Sequence, residues 1–146
     1  VIEVVQPEGL TAEVVEAIGR LVPQLSSSAP APTGEQLAEI AGSSGTVLFL
    51  AREGDDDAGE ILGMLTLVTY RIPTGLNAVI EDVVVDETRR GAGIGPALVS
   101  AALAVAAERG ARHVDLTSRP SREAANRLYQ KMGFVERDTN VYRYSS

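Results

Sequence analysis

Residues 89–98 read RRGAGIGPAL, with Gly91, Gly93 and Gly95 on alternate positions just before an apolar run. Glycines at that density let successive backbone N–H groups turn inward around a bound oxyanion. A helix starting at the end of the run adds unpaired N–H groups and a partial positive charge. Arg89 and Arg90 bring full charges beside this nest, and Pro96, with no N–H to give, suits a first helical turn. The chemistry predicted for Arg89, Arg90, Gly91, Ala92, Gly93, Ile94, Gly95 and Pro96 is therefore capture of a phosphate or pyrophosphate. A nucleotide P-loop would need Gly-Lys-Ser/Thr where the chain has Gly95-Pro96-Ala97. Dinucleotide spacing counted from Gly91 puts Pro96 where the third glycine belongs, although Asp115 lies roughly where a ribose-binding acid would.

The elements that must hold this loop follow from periodicity. Residues 1–7 read as a short strand ended by Pro7, and 11–22 as a helix with Val14, Val15, Ile18, Leu21 and Val22 on one side and Pro23 as its stop. The Ser-, Pro- and Ala-rich stretch 22–34 reads as a loop between helices that shapes a substrate pocket, and 34–41 as a second short helix. Three strands follow, at 45–53, 61–71 and 78–86. The acidic stretch 54–60 lacks the alternating acids and distal Glu of a calcium loop and reads as a solvated hairpin tip. A helix over 96–109 closes at Gly110, and a strand spans 112–118. A last helix is capped by Ser121, carries Ala125, Leu128 and Met132 on its core face and ends at Gly133; one or two closing strands are expected in FVERDTNVYRY. The order predicts a mixed α/β fold in a single domain over residues 1–146.

Composition narrows the chemistry. At 45% hydrophobic and 23% charged residues, a 146-residue chain can bury a real core. A formal net charge of -7 disfavours nucleic acid, which needs a broad basic face. Without cysteine there is no thiolate nucleophile or disulfide, and with His113 as the only histidine no multi-imidazole metal site is expected. His113 reads as a structural residue at a strand start. No apolar run has membrane-spanning length and no basic-then-apolar leader opens the chain, so the cytoplasm is the expected compartment.

Arg90-Gly-Ala-Gly93-Ile-Gly95 satisfies the Gln/Arg-x-x-Gly-x-Gly/Ala signature of the GNAT N-acetyltransferases, which the chain resembles. IEDVVVD before it resembles the family's fourth strand, and ANRLYQKMGF (125–134) its later helix. The likeness runs from about Gly45 to the C-terminus. It implies the GNAT fold, a central, mostly antiparallel twisted sheet flanked by about four helices. It also implies an N-acetyltransferase that uses acetyl-CoA on a primary amine of a small molecule or peptide, by direct attack in a ternary complex. The alternative is a catalytically silent sensor or regulatory module that binds CoA or acyl-CoA. By the same resemblance, the pyrophosphate lies on the 90–95 loop, Val83, Val84 and Val85 pair with the pantetheine arm, and Asn126 contacts CoA. A strand bulge is expected to aim the Val84 N–H at the thioester oxygen, where it would stabilise developing negative charge. Family analogy further implies a homodimer through the closing VYRY segment.

Two proton tasks remain. The attacking amine must be neutral, and Glu81 and Asp82 are the candidate bases, acting directly or through water. Adjacent strand residues face opposite ways, so an unbulged strand offers only one of them, with Glu81 preferred. Tyr129 is the candidate acid for the departing thiolate, on a helix face shared with Asn126. The pocket walls are expected from SSSAPAPTG and the turn 70–78. Aromatic residues are only 4% of the chain and Trp is absent, which argues against an aromatic cage.

Overall fold

Between Thr46 and Val85 the chain is dense in valine, leucine, isoleucine and threonine, side chains that suit a pleated, half-buried surface. In a computed structural model, which describes residues 2–54 and 59–146, this stretch forms the middle of a five-stranded sheet. The strands are β1 (Ile2–Val5), β2 (Thr46–Glu53), β3 (Glu60–Ile72), β4 (Gly75–Val85) and β5 (Val114–Asp115), in that spatial order. Pairing is antiparallel from β1 to β4 and parallel between β4 and β5. The parallel step needs a crossover, supplied by helix α3 (Ile94–Glu108). Helices α1 (Ala12–Leu25) and α2 (Gly34–Gly42) precede β2, and α4 (Glu123–Lys131) follows β5. The mixed α/β reading with a mostly antiparallel sheet and four helices is thus observed.

The chain divides into two compact units, Val1–Leu116 and Thr117–Ser146. The first contains the whole sheet and α1 to α3. On one side of the sheet, Val14, Ala17, Ile18 and Leu21 of α1 and Leu37 of α2 form one buried cluster with Leu50, Ile61, Met64 and Val84. α3 packs closely on β3 because Gly63 has no side chain. A Cβ there would come within 2.8 Å of Ile94 Cγ2 and 3.1 Å of Leu98 Cδ1. Gly63 thereby seats the first turn of α3, the turn that follows the glycine loop.

Several boundaries differ from expectation. Pro23 lies inside α1, which continues to Leu25. The lost N–H costs one bond to Gly19, whereas Val22 and Leu25, on either side of the proline, pack against the core and hold the last turn. α3 starts at Ile94, two residues before Pro96, with Gly93 as its N-cap. β5 is limited to Val114–Asp115, because only Ala78 and Val79 of β4 lie in register with it. Both Thr11 and Thr33 cap their helices, and Thr33 with Gln36 completes a capping box. Asp55, Asp56 and Asp57 of the expected acidic hairpin tip lie outside the described residues.

In the second unit, α4 begins after Arg122 with no side-chain cap, so Ser121 does not serve. Ala125, Leu128 and Met132 are half-buried rather than core. Gly133, at φ 101°, ends the helix as expected, with the Phe134 N–H donating to the Tyr129 carbonyl at 2.9 Å. No strand forms over described residues 134–146, where Val135, Val141, Tyr142 and Tyr144 are strongly exposed. Residue alternation alone cannot make a strand without a paired neighbour.

Candidate active site

β4 pairs with β3 along most of its length, but Thr66 faces Glu81 and Met64 faces Val84. One β3 residue, Leu65, therefore stands opposite two, Asp82 and Val83, which is a β-bulge. Asp82 takes φ 51° there, and it is the only non-glycine residue with positive φ among the described residues. A left-handed L-residue in a strand is strained by about 1–2 kcal/mol, and such strain concentrates at functional sites.

Beyond Val79 the other edge of β4 has no strand beside it among the described residues, because β5 pairs only at Ala78 and Val79. Alternation determines which amides face that opening. The Asp86 N–H donates to the Leu62 carbonyl at 2.7 Å, so Asp86 points toward β3. Stepping back one residue at a time, Val85 points to the open edge, Val84 to β3 and Val83 to the open edge. The bulge expected from the sequence is present, but the amide it presents to the opening is that of Val83. The Val84 amide faces Met64, and its side chain is buried.

A 3-10 turn, Glu87–Arg89, leads from the strand to the glycine loop. Gly91 at φ 85° and Gly93 at φ 90° hold the left-handed conformations that reverse the chain. A Cβ at Gly91 would meet no heavy atom within 4 Å, so the loop borders open space. The first bonded amides around it are Ala92 to Arg89 O and Ala97 to Gly93 O. The N–H groups of Gly91, Gly93, Ile94 and Gly95 have no acceptor among the described residues. These amides and the foot of α3 form an anion-binding surface whose donors are free, which fits a diphosphate. Arg89, expected to lend charge here, is bound to Glu53 instead, and the Arg90 side chain is exposed.

Asp86, which the sequence did not single out, ties the loop to α1. It is 7% exposed and accepts from the Thr88 hydroxyl at 2.6 Å and the Thr88 N–H at 3.0 Å. Its other oxygen accepts from Arg20 Nη1 at 3.1 Å and Gln24 Nε2 at 3.2 Å. The Thr88 hydrogen bonds, then Gln24, and more weakly the Arg20 charge bring its carboxyl down to about 2 against the opposition of burial. Gln24 also accepts from the Glu87 N–H at 2.8 Å. The C-terminal turns of α1 are thereby fastened to the start of the loop. The available signal was Arg20 and Gln24 at i,i+4 on one helix face, but their partner lies more than sixty residues away in sequence.

A cavity of about 230 Å³ opens beside the bulge. Ala29, Pro30 and Pro32 of the loop expected to shape a pocket are among its walls, whereas the 70–78 turn contributes none. Of the two candidate bases, both exposed, Asp82 lines this cavity; Glu81, the register partner of Thr66, shares the sheet face of Thr66 but is not among the cavity walls. Among the described residues no cluster of three or more His, Cys, Asp or Glu could hold a metal.

Tyr129 and Asn126 lie in the second unit. Burial pushes the Tyr129 phenol above its ordinary pKa, offset in part by the Arg122 charge. Its ring meets Phe134 edge to face at 5.8 Å. Asn126 Nδ2 donates to the Arg119 carbonyl at 2.9 Å, closing the turn that leads into α4. His113 lies 3.5 Å from Asp115, both largely exposed.

Comparison with known proteins agrees with this anatomy. A sequence profile described as the acetyltransferase (GNAT) family matches residues 19–134. An acetyltransferase of Trypanosoma brucei shares 26% identity, with 99% of each chain covered and a TM-score of 0.78. A protein of Bacillus halodurans C-125 described as a transcriptional regulator shares 24% identity over 99% of each chain, with a TM-score of 0.80. AAC(6')-Iy, solved with the bisubstrate analog CoA-S-monomethyl-acetylneamine, has 18% identity and a TM-score of 0.77, covering 99% of this chain and 98% of its own. At such identities the last two show a shared fold. No curated protein sequence matches significantly.

Proposed function

The chain belongs to the acetyltransferase (GNAT) family, and we propose that it transfers the acetyl group of acetyl-CoA to a primary amine of a small molecule or peptide by direct attack in a ternary complex. One observation carries this reading: among the described residues, the edge of β4 that lacks a strand partner runs from a bulge at Asp82 into a turn whose amides have no acceptor. An extended, amide-bearing arm ending in a diphosphate needs those two surfaces in that order.

Acetyl-CoA supplies an activated thioester: the amine nitrogen bonds to the acetyl carbon, the carbon–sulfur bond breaks, and CoA leaves as the thiol. The chain's residues divide the remaining work. Gly91, Gly93, Ile94 and Gly95 donate to the diphosphate, with Arg90 adding charge and Arg89, Ala92 and Pro96 shaping the turn. Val85 pairs with the pantetheine amides at the open edge, and the Val83 N–H stabilises negative charge on the thioester oxygen, an effect worth about 3–4 kcal/mol where measured. Val84 anchors the bulged strand to β3. Asp82, directly or through water, takes the amine proton, with Glu81 as the reserve carboxylate. Tyr129 donates a proton to the departing thiolate and Asn126 supports CoA; both roles rest on the family resemblance. A raised phenol pKa keeps Tyr129 protonated at neutral pH, the form an acid requires.

We further read residues 1–146 as one catalytic domain, acting in the cytoplasm and dimerising through the exposed closing segment. No helix among the described residues is long and apolar enough to cross a membrane. The test of activity is CoA release from acetyl-CoA across amino acids, aminosugars, polyamines, aminoglycosides, simple alkylamines and peptide N-termini. Release with at least one amine is expected. Tight acyl-CoA binding with no release across the panel would favour the silent sensor instead.

A further inference from the structure

The cavity beside Asp82 has a chemical character that narrows the acceptor, an inference that rests on the acetyl-transfer reading. Ile18, Leu37, Leu48 and Met64 give it aliphatic walls, closed on another side by Pro30 and Pro32. Only two of its lining residues, Thr66 and Asp82, offer polar side-chain atoms, and none is Lys, Arg or His. The single charge is therefore a carboxylate, held at the bulge by a strained backbone.

We propose that the acceptor is a primary monoamine with a compact apolar body, its nitrogen at Asp82 and its body against Ile18, Leu37, Leu48 and Met64. Size follows from volume. A dry cavity of about 150 Å³ holds benzene, so 230 Å³ accommodates a ring of that size with a short chain. A polyhydroxylated amine would press hydroxyls against aliphatic walls with only Thr66 to bond them, at about tenfold or more in affinity for each one left unpaired. An aminosugar phosphate would set its anion in a cavity that has no cation and already contains Asp82. An ammonium-bearing hydrocarbon satisfies every wall.

Two measurements test this together. CoA release is compared for butylamine, hexylamine, 2-phenylethylamine, glucosamine, glucosamine 6-phosphate and an aminoglycoside. Binding of 2-phenylethylamine without cofactor is followed by calorimetry on the native chain, on Pro32→Trp, which fills the cavity from its loop wall, and on Asp82→Asn. From butylamine to hexylamine kcat/KM should rise about fourfold per methylene. 2-Phenylethylamine should exceed the sugar amines by about 100-fold, and both variants should weaken its binding about tenfold or more. Faster turnover of an aminosugar or aminoglycoside than of any apolar amine would overturn the acceptor class and leave acetyl transfer standing. Saturable 2-phenylethylamine binding that Pro32→Trp abolishes, with no CoA release from any amine, would overturn acetyl transfer and leave the cavity's ligand class standing. Failure of both binding and release would overturn both.

Discussion

Asp82 pairs an unfavourable backbone with a useful side chain. At φ 51° an aspartate is strained where glycine is not. Asp82→Gly should therefore leave the fold as stable or up to about 1 kcal/mol more stable in chemical denaturation, while CoA release falls. Asp82→Asn tolerates the same conformation and removes only the charge, so kcat/KM should drop by about 100-fold with unchanged stability. Equal activity in both variants would take Asp82 out of the reaction and return Glu81 as the base. Tyr129→Phe should lower kcat about 100-fold with acetyl-CoA affinity unchanged, as measured by steady-state kinetics beside calorimetry. Asp86 makes a prediction about acid. Its folded pKa of about 2 lies below the ordinary 3.8, so the stabilisation is fully present above the unfolded value and is lost as pH falls toward 2. The shift corresponds to about 2 kcal/mol, and the denaturation midpoint of Asp86→Asn should change less between about pH 4 and pH 2 than that of the native chain. The glycines and carboxylates of the site were legible in sequence because side-chain type alone identifies them. Asp86 was not, because its importance comes from Arg20 and Gln24, which only folding brings to it.

At the scale of elements, the glycine loop and α3 form one device. Gly63 lets the first turn of α3 lie against β3, and Gly91 and Gly93 give the chain the reversal that leaves the loop amides free. Gly93→Ala meets no steric obstacle, its Cβ standing 3.7 Å from Ile2 Cδ1, so its cost is conformational, about 1–2 kcal/mol. Because the loop can escape that strain by leaving the binding conformation, acetyl-CoA affinity should fall about tenfold or more while the sheet stays folded by circular dichroism. The strands β2 to β4 and the ends of α3 and α4 at Gly110 and Gly133 were readable from periodicity and stop residues. Pro23 misled because local propensity yielded to the packing of Val22 and Leu25 on the core. β5 is shorter than its sequence pattern suggests because strand length depends on register with a neighbour. The same divergence leaves the β4 edge open.

For the whole molecule, net charge and ligand charge oppose each other. A chain of formal charge -7 that binds a polyanion must rely on a local, oriented donor set, which the free amides at the foot of α3 provide. Fold class and family were legible because three motifs occur in the right order along the chain, and the profile match over residues 19–134 agrees. The acceptor was not legible, since the cavity is assembled from α1, α2, a loop and the sheet, and no single stretch of sequence records its lining. Recognition of acetyl-CoA rests on the amide-lined turn, and titration calorimetry of acetyl-CoA against the native chain and Gly93→Ala tests this role most directly. Saturable binding of one molecule per chain is expected, weakened about tenfold or more in the variant. Absence of binding to the native chain, or binding that Gly93→Ala leaves untouched, would contradict it.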